Sequence, residues 1–293
     1  FETVRNAFKI KDLRKKLFYT FFALIVVRIG SQLPVPGVKY EAIREMFNSQ
    51  KSLDFFNQLT GGSFEQMSIF ALNITPYITA SIIIQLLTIA IPRLEELHKD
   101  GEEGRKKLTE YTRYVTIGLS VLESAAMAIG FGNSGYLTDD KITFTSVSVI
   151  IVSLTAGSAF LMWVGEQINE KGVGNGISIV LTINIISRVP NDMGTLYQQF
   201  ITGKSIPKGI LAAVIIIAII VAMVVFVVFL QGGERRIPVQ YSRKMVGRKM
   251  MGGQSTNIPL KVNTAGVIPV IFASSIMSFP SIIAQFAGKG NGT

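Results

Sequence analysis

Residues 210–230 read Ile210-Leu211-Ala212-Ala213-Val214-Ile215-Ile216-Ile217-Ala218-Ile219-Ile220-Val221-Ala222-Met223-Val224-Val225-Phe226-Val227-Val228-Phe229-Leu230, with no charged residue, proline or glycine. A helix needs ~20 mostly apolar residues to cross a hydrocarbon layer of ~30 Å. This stretch therefore predicts a membrane span, and six further apolar runs extend the pattern: 17–33, 69–91, 114–131, 142–165, 177–189 and 265–286. The run at 177–189 is short for a lipid-covered helix, which leaves a buried, steeply placed or re-entrant segment open. Composition agrees, since 48% of the 293 residues are hydrophobic and only 16% are charged. An ordinary soluble domain carries more charge. The fold class read from the chain is an all-α integral membrane protein, a multi-pass helical bundle.

The net charge of +10 is concentrated in the segments between apolar runs. Lys9, Lys11, Arg14, Lys15 and Lys16 precede the first run. Arg93, Lys99, Arg105, Lys106 and Lys107 separate the second from the third. Arg235, Arg236, Arg243, Lys244, Arg248, Lys249 and Lys261 separate the sixth from the seventh. Basic residues stay on the cytoplasmic side of a membrane. These three segments are thereby expected to share that side, with the amino terminus cytoplasmic. The first sixteen residues form a basic amphipathic pattern, not the continuous apolar core of a cleavable leader.

Chemistry is bounded by what is missing. Without cysteine, disulfides, thiolate catalysis and cysteine-held metals are excluded. The single histidine, His98, lies in a charged loop, which disfavours a histidine-ligated metal or a serine–histidine triad. No enzymatic activity and no cofactor are expected. The run from Gly172 to Gly176 lacks the Lys-Ser/Thr of a phosphate-binding loop. A secondary transporter is a rival, since broken helices and glycine runs occur there too. It predicts intramembrane ion ligands, and apart from Glu123 the runs hold hardly any central acid.

Between the first two runs lies a nearly charge-balanced segment, 34–68. It contains Leu53-Asp54-Phe55-Phe56-Asn57-Gln58-Leu59, closed by Gly61-Gly62. Two glycines permit a sharp reversal. A half-helix folding back toward the membrane and an interfacial helix resting on the outer leaflet both fit this spacing.

Three segments are more specific. They are Ser68-Ile69-Phe70-Ala71-Leu72 running into Pro76-Tyr77-Ile78-Thr79-Ala80-Ser81-Ile82-Ile83-Ile84-Gln85-Leu86-Leu87; Gly165-Glu166-Gln167-Ile168 with Gly172-Val173-Gly174-Asn175-Gly176-Ile177-Ser178; and Gln254-Ser255-Thr256 through Pro259-Leu260-Lys261-Val262-Asn263 to Ala265-Gly266-Val267-Ile268-Pro269. In order and spacing they resemble the bacterial SecY family, channel-forming subunits of the Sec protein translocon, and the resemblance covers the whole chain. It implies an inverted-repeat channel of ten helices in two five-helix halves. Of these the chain would hold the first half and the start of the second, looking truncated after the seventh helix.

The resemblance further implies a division into a cytoplasmic amphipathic helix (1–16), a first half (17–189) with a plug at 53–64, an external segment (190–209), and helices six and seven (210–293) with a cytoplasmic docking loop (232–257). Ile74, Ile78, Ile177, Leu181 and Ile271 would form an aliphatic pore ring. Leu53, Asp54, Phe55, Phe56, Asn57, Gln58, Leu59, Gly61 and Gly62 would form the plug beneath it. Gln85, Glu123 and Asn263 would lie on the helices of a lateral gate opening to lipid. Arg235, Arg236, Arg243, Lys244, Arg248 and Lys249 would dock a partner. The implied partners are SecE-like and SecG-like small membrane subunits, the motor ATPase SecA, the ribosome through RNA phosphate, a signal sequence or preprotein as substrate, and the lipid bilayer. The implied location is the bacterial cytoplasmic membrane.

Overall fold

The computed structural model describes residues 9–49, 57, 60–138, 143–200, 202, 206–239, 244–246, 249–251, 256–264, 266, 269, 270 and 273. Leu53, Asp54, Phe55, Phe56, Gln58, Leu59, Arg243, Arg248 and Ile271 lie outside the described residues. Helices dominate: α1 (Lys11–Gly30), α2 (Tyr40–Ser49), α3 (Thr75–Ala90), α4 (Pro92–Lys99), α5 (Glu102–Asn133), α6 (Phe144–Lys171), α7 (Gly176–Phe200) and α8 (Ile206–Gly232). The chain divides into two compact units, one built on residues up to Pro190 and one on Asn191–Val270.

In the first unit α5 lies along both α3 and α6, and α1 lies against α6. The buried face of α5 explains the closeness. Thr112, Thr116, Ser120, Ser124 and Ala128 recur every fourth residue and are all buried. Small residues at that spacing let helix backbones approach where lipid removes any hydrophobic drive between helices. Their hydroxyls are satisfied locally: Thr112 donates to the Leu108 carbonyl at 2.9 Å and Thr116 to the Thr112 carbonyl at 2.6 Å. Ser124 also meets Thr155 of α6 at 3.2 Å.

Among the described residues, α5, α6 and 209–232 are long and apolar enough to cross a membrane. The α3–α4 pair becomes a fourth span if its 103° bend marks one broken helix. The bend falls at Ile91, ahead of Pro92, because proline disfavours helical backbone in the preceding residue. The multi-pass reading stands. The expected first and fifth spans fall on α1 and α7, which carry charge: Arg14, Lys15 and Lys16 near the start of α1, Arg188 and Asp192 in the middle of α7. Of the expected span at 265–286, little lies within the described residues.

Three boundaries differ from the sequence expectation. The second span's helix starts at Thr75, not 69, because 60–74 follow a chain of turns in which Met67 and Asn73 take positive φ of 42° and 52°. The short fifth run becomes a helix of 25 residues that continues through Pro190 into the segment expected to be external. Loop 232–257 is not featureless. β1 (Glu234–Val239) pairs antiparallel with β4 (Thr256–Lys261), and β2 (Lys244–Val246) with β3 (Lys249–Met251). Glu234 stands opposite Lys261 and Ile237 opposite Ile258, pairings that favour this register. Pro238 and Pro259 are tolerated because each strand pairs on one side only.

Candidate pore site

Local chemistry sets where α7 begins. Asn175 Oδ1 accepts from the backbone N–H groups of Ile177 (3.1 Å) and Ser178 (3.2 Å). This caps donors that the helix itself leaves unpaired. Gly174 adopts φ +74°, a left-handed turn that glycine makes at little cost. Asn169 of α6 accepts from the Gly176 N–H at 2.7 Å, and Thr20 of α1 accepts from the Val173 N–H at 3.2 Å. A side chain at Gly176 would fall into the Gly165 carbonyl. The glycine run thus brings α7 down onto α6 and fixes where Ile177 emerges.

The approach to α3 is placed in the same way. A Cβ at Gly157 would stand 2.8 Å from both the carbonyl carbon and Cγ2 of Ile69. Only glycine lets segment 69–74 lie flat on α6. That contact carries Ile74 to the first turn of α3, where the Ile78 N–H donates to its carbonyl at 3.0 Å. Val27, Phe70, Ile74, Leu161, Val164, Ile168 and Val180 form one buried apolar cluster, with Ile78 and Ile177 packed against it.

Three of the five expected ring residues lie in or against this one cluster: Ile74 within it, Ile78 and Ile177 on its edge. Ile74 is wholly enclosed, at 0% exposure, and Ile78 and Ile177 are half-buried. Leu181 is half-buried one helical turn beyond Ile177, on the same face of α7. Ile271 lies outside the described residues.

Of the expected plug, Asn57, Gly61 and Gly62 are described. The two glycines take φ of +66° and +85°, which permits the reversal. Gly62 donates its N–H to the Asn57 carbonyl at 3.0 Å. A Cβ on Gly61 would stand 3.0 Å from the Asn184 Cα of α7.

The residues expected at a lateral gate are described separately in the two units. Gln85 on α3 is exposed and Glu123 on α5 is half-buried. Asn263 belongs to the second unit, where its amide donates to Gln231 Oε1 at 3.4 Å and its Oδ1 accepts from the Gly266 N–H at 3.1 Å. Of the docking residues, Arg235 and Arg236 stand exposed on β1, and Lys244 and Lys249 begin β2 and β3.

Polar contacts across long sequence gaps escaped the sequence reading. Asn184 of α7 donates to Asn73 Oδ1 at 3.0 Å, a buried bond tying α7 to the turn before α3. Arg113 of α5 pairs with Glu166 of α6 at 2.8 Å. Glu65 lies 3.5 Å from Arg188 and 3.4 Å from Arg44. Unpaired charge within an apolar run is the one available signal, since an intramembrane ionisable group needs a partner. It names no partner.

The SecY family profile matches residues 68–292. Protein translocase subunit SecY of Streptomyces galbus is 44% identical over 98% of the chain, which spans 68% of that relative. The Corynebacterium glutamicum subunit is 45% identical, again over 98% of the chain and 66% of the relative. A solved protein-conducting channel superposes with a TM-score of 0.59 over 93% of the chain and 58% of the channel, at 19% identity. Sec61 in a canine ribosome-channel complex superposes with a TM-score of 0.56 at 19% identity, over 93% of the chain and 58% of that protein. The solved structures speak to fold alone, and the chain covers somewhat over half of their length. The curated relatives speak to descent: matched along nearly its whole length at over 40% identity, the chain belongs to the SecY family.

Proposed function

We propose that this chain forms the larger part of a protein-conducting channel in a bacterial cytoplasmic membrane, amino terminus cytoplasmic, passing unfolded preproteins across and releasing apolar segments sideways into lipid. The observation that carries the reading is one apolar cluster, drawn from α1, α6, α7 and the start of α3, that holds Ile74 and has Ile78 and Ile177 packed against it. Leu181 and Ile271 complete the waist in this reading.

The physical conflict is severe. A conduit for polypeptide must admit polar backbone, yet at rest it must stop ions. An aliphatic ring resolves it by excluding water while binding nothing tightly. Its side chains move apart for a chain and close by van der Waals contact afterward. In this reading a plug drawn from 53–64 would add a second barrier.

Lateral release follows from partition. At ~0.3–0.6 kcal/mol per central apolar residue, a signal sequence with a core of ~10 such residues gains several kcal/mol by leaving water for lipid. Gln85, Glu123 and Asn263 line the closing helices in this reading, with bonds of about 1 kcal/mol that break readily.

The chain breaks no bonds in substrate, so a partner supplies energy. The exposed Arg235 and Arg236 on the β1–β4 ribbon, with Arg243, Lys244, Arg248 and Lys249, offer a basic surface to ribosomal RNA phosphate or to the SecA motor. The canine relative's ribosome-channel complex supports the first. SecE-like and SecG-like subunits complete the assembly. The test is transport of an unfolded secretory precursor into vesicles holding the full-length protein with its partners, beside uptake of small labelled solutes. Precursor transport without solute accumulation is expected. Solute accumulation without precursor transport overturns the reading.

A further inference from the structure

In the segment that the channel reading assigns to the plug, Asn57 is bonded to a neighbouring carboxylate. Asn57 and Glu65 bond reciprocally: the Asn57 amide donates to Glu65 Oε2 at 2.8 Å, and the Glu65 N–H donates to Asn57 Oδ1 at 3.2 Å. The Asn57 carbonyl also accepts from Thr60 Oγ1 at 3.2 Å and from the Gly62 N–H at 3.0 Å. Asn57 and Ser63 are each 2% exposed. Together these bonds close 57–65 into a self-supported loop.

Phe64 packs on a buried apolar cluster and Gly61 abuts the Asn184 backbone of α7, and charge adds a further tie between the loop and the bundle. Glu65 Oε2 lies 3.5 Å from an Arg188 guanidinium nitrogen on α7, and Oε1 lies 3.4 Å from Arg44 Nε on α2. The Arg188 side chain is only 18% exposed, against 69% for Arg44. Neither Arg188 Nε nor the Nη1 that faces Glu65 meets a hydrogen-bond partner among the described residues, so the Glu65 contact is an ion pair without a hydrogen bond. A cation so enclosed depends on its counter-ion, because removing one member of a buried pair strands the other. The exposed Arg44 is screened by water and adds little.

We propose that Glu65 is a positioning residue whose carboxylate, clamped chiefly by Arg188, keeps the Asn57–Glu65 loop seated against α7 in the resting protein. The inference rests on the channel reading for its consequence, since an unseated loop is one barrier fewer beneath the ring. The seating itself is independent of that reading.

The chain has no cysteine, so Ser63→Cys, placed in an otherwise cysteine-free full-length protein, reports the seat through its labelling rate with a membrane-impermeant maleimide. Glu65→Gln keeps the shape and removes the charge. It is expected to speed labelling about five-fold, the change that losing one interaction of membrane-protein strength allows. Arg188→Gln is expected to match it, while Arg188→Lys and Arg44→Gln stay near the parent rate. Unchanged labelling in both Glu65→Gln and Arg188→Gln overturns the proposal. So does lower yield with the recovered protein labelling at the parent rate, the mark of a purely structural role. Ile78→Gly in planar bilayers separates the two claims: a raised resting conductance there upholds the channel reading whatever the labelling shows.

Discussion

Gly157→Ala tests how the approach to α3 is positioned. The added Cβ would sit 2.8 Å from the carbonyl carbon and from Cγ2 of Ile69, where ordinary contact begins near 3.4 Å. More than the 0.6 Å that these two atoms require (3.4 − 2.8) must be found between α6 and backbone that is already seated, because the Ile69 carbonyl oxygen would lie closer still. Overpacking of this kind costs ~1–3 kcal/mol. With ~2–4 °C of Tm per kcal/mol for chains near this size, the full-length protein in detergent should melt several degrees lower. Gly118→Ala is the control. A Cβ there meets nothing within 4 Å, and alanine in a helix interior gains ~0.5–1 kcal/mol over glycine. The displaced Ile69 also leads directly to Ile74, so Gly157→Ala should raise resting conductance as well. A Tm unchanged from the parent refutes the argument that glycine at 157 is required for this approach.

Asn175→Ala removes the acceptor for two N–H groups at the start of α7 and should cost ~1 kcal/mol, visible as faster hydrogen exchange at Ile177 and Ser178. Arg113→Gln and Glu166→Gln, singly and together, should show a coupling of ~0.5–1 kcal/mol in a double-mutant cycle of thermal unfolding, because Arg113 is partly exposed; additive effects would deny the pair any energetic role. Arg248→Glu with Lys249→Glu should weaken ribosome or motor co-sedimentation and flatten its salt dependence, leaving membrane insertion intact.

Much of the fold is legible along the chain because lipid imposes a simple rule. Every backbone polar group must pair within its own segment, so apolar runs such as 210–230 announce helices directly. What sequence reading misses lies where tertiary contact overrides the local pattern. The apolar run at 69–91 looks continuous, yet Asn73 in a left-handed conformation delays the helix to Thr75, held there by Asn184 more than a hundred residues away. Pro190 suggests an end to α7, but the helix runs on to Phe200. The β1–β4 ribbon was hidden because its strands alternate poorly and are far apart in sequence. At the site, the isoleucines were readable through the motifs around them. The Glu65–Arg188 contact was not, because no spacing rule connects residues on separate elements.

Ile78 is half-buried against the cluster that holds Ile74, and in the channel reading it is part of an aliphatic barrier. Resting ion conductance of the full-length complex in planar bilayers, parent against Ile78→Gly, measures that barrier most directly. A clear rise in conductance is predicted, since the deleted side chain leaves room for water; conductance equal to the parent's, with the protein correctly inserted, contradicts the account.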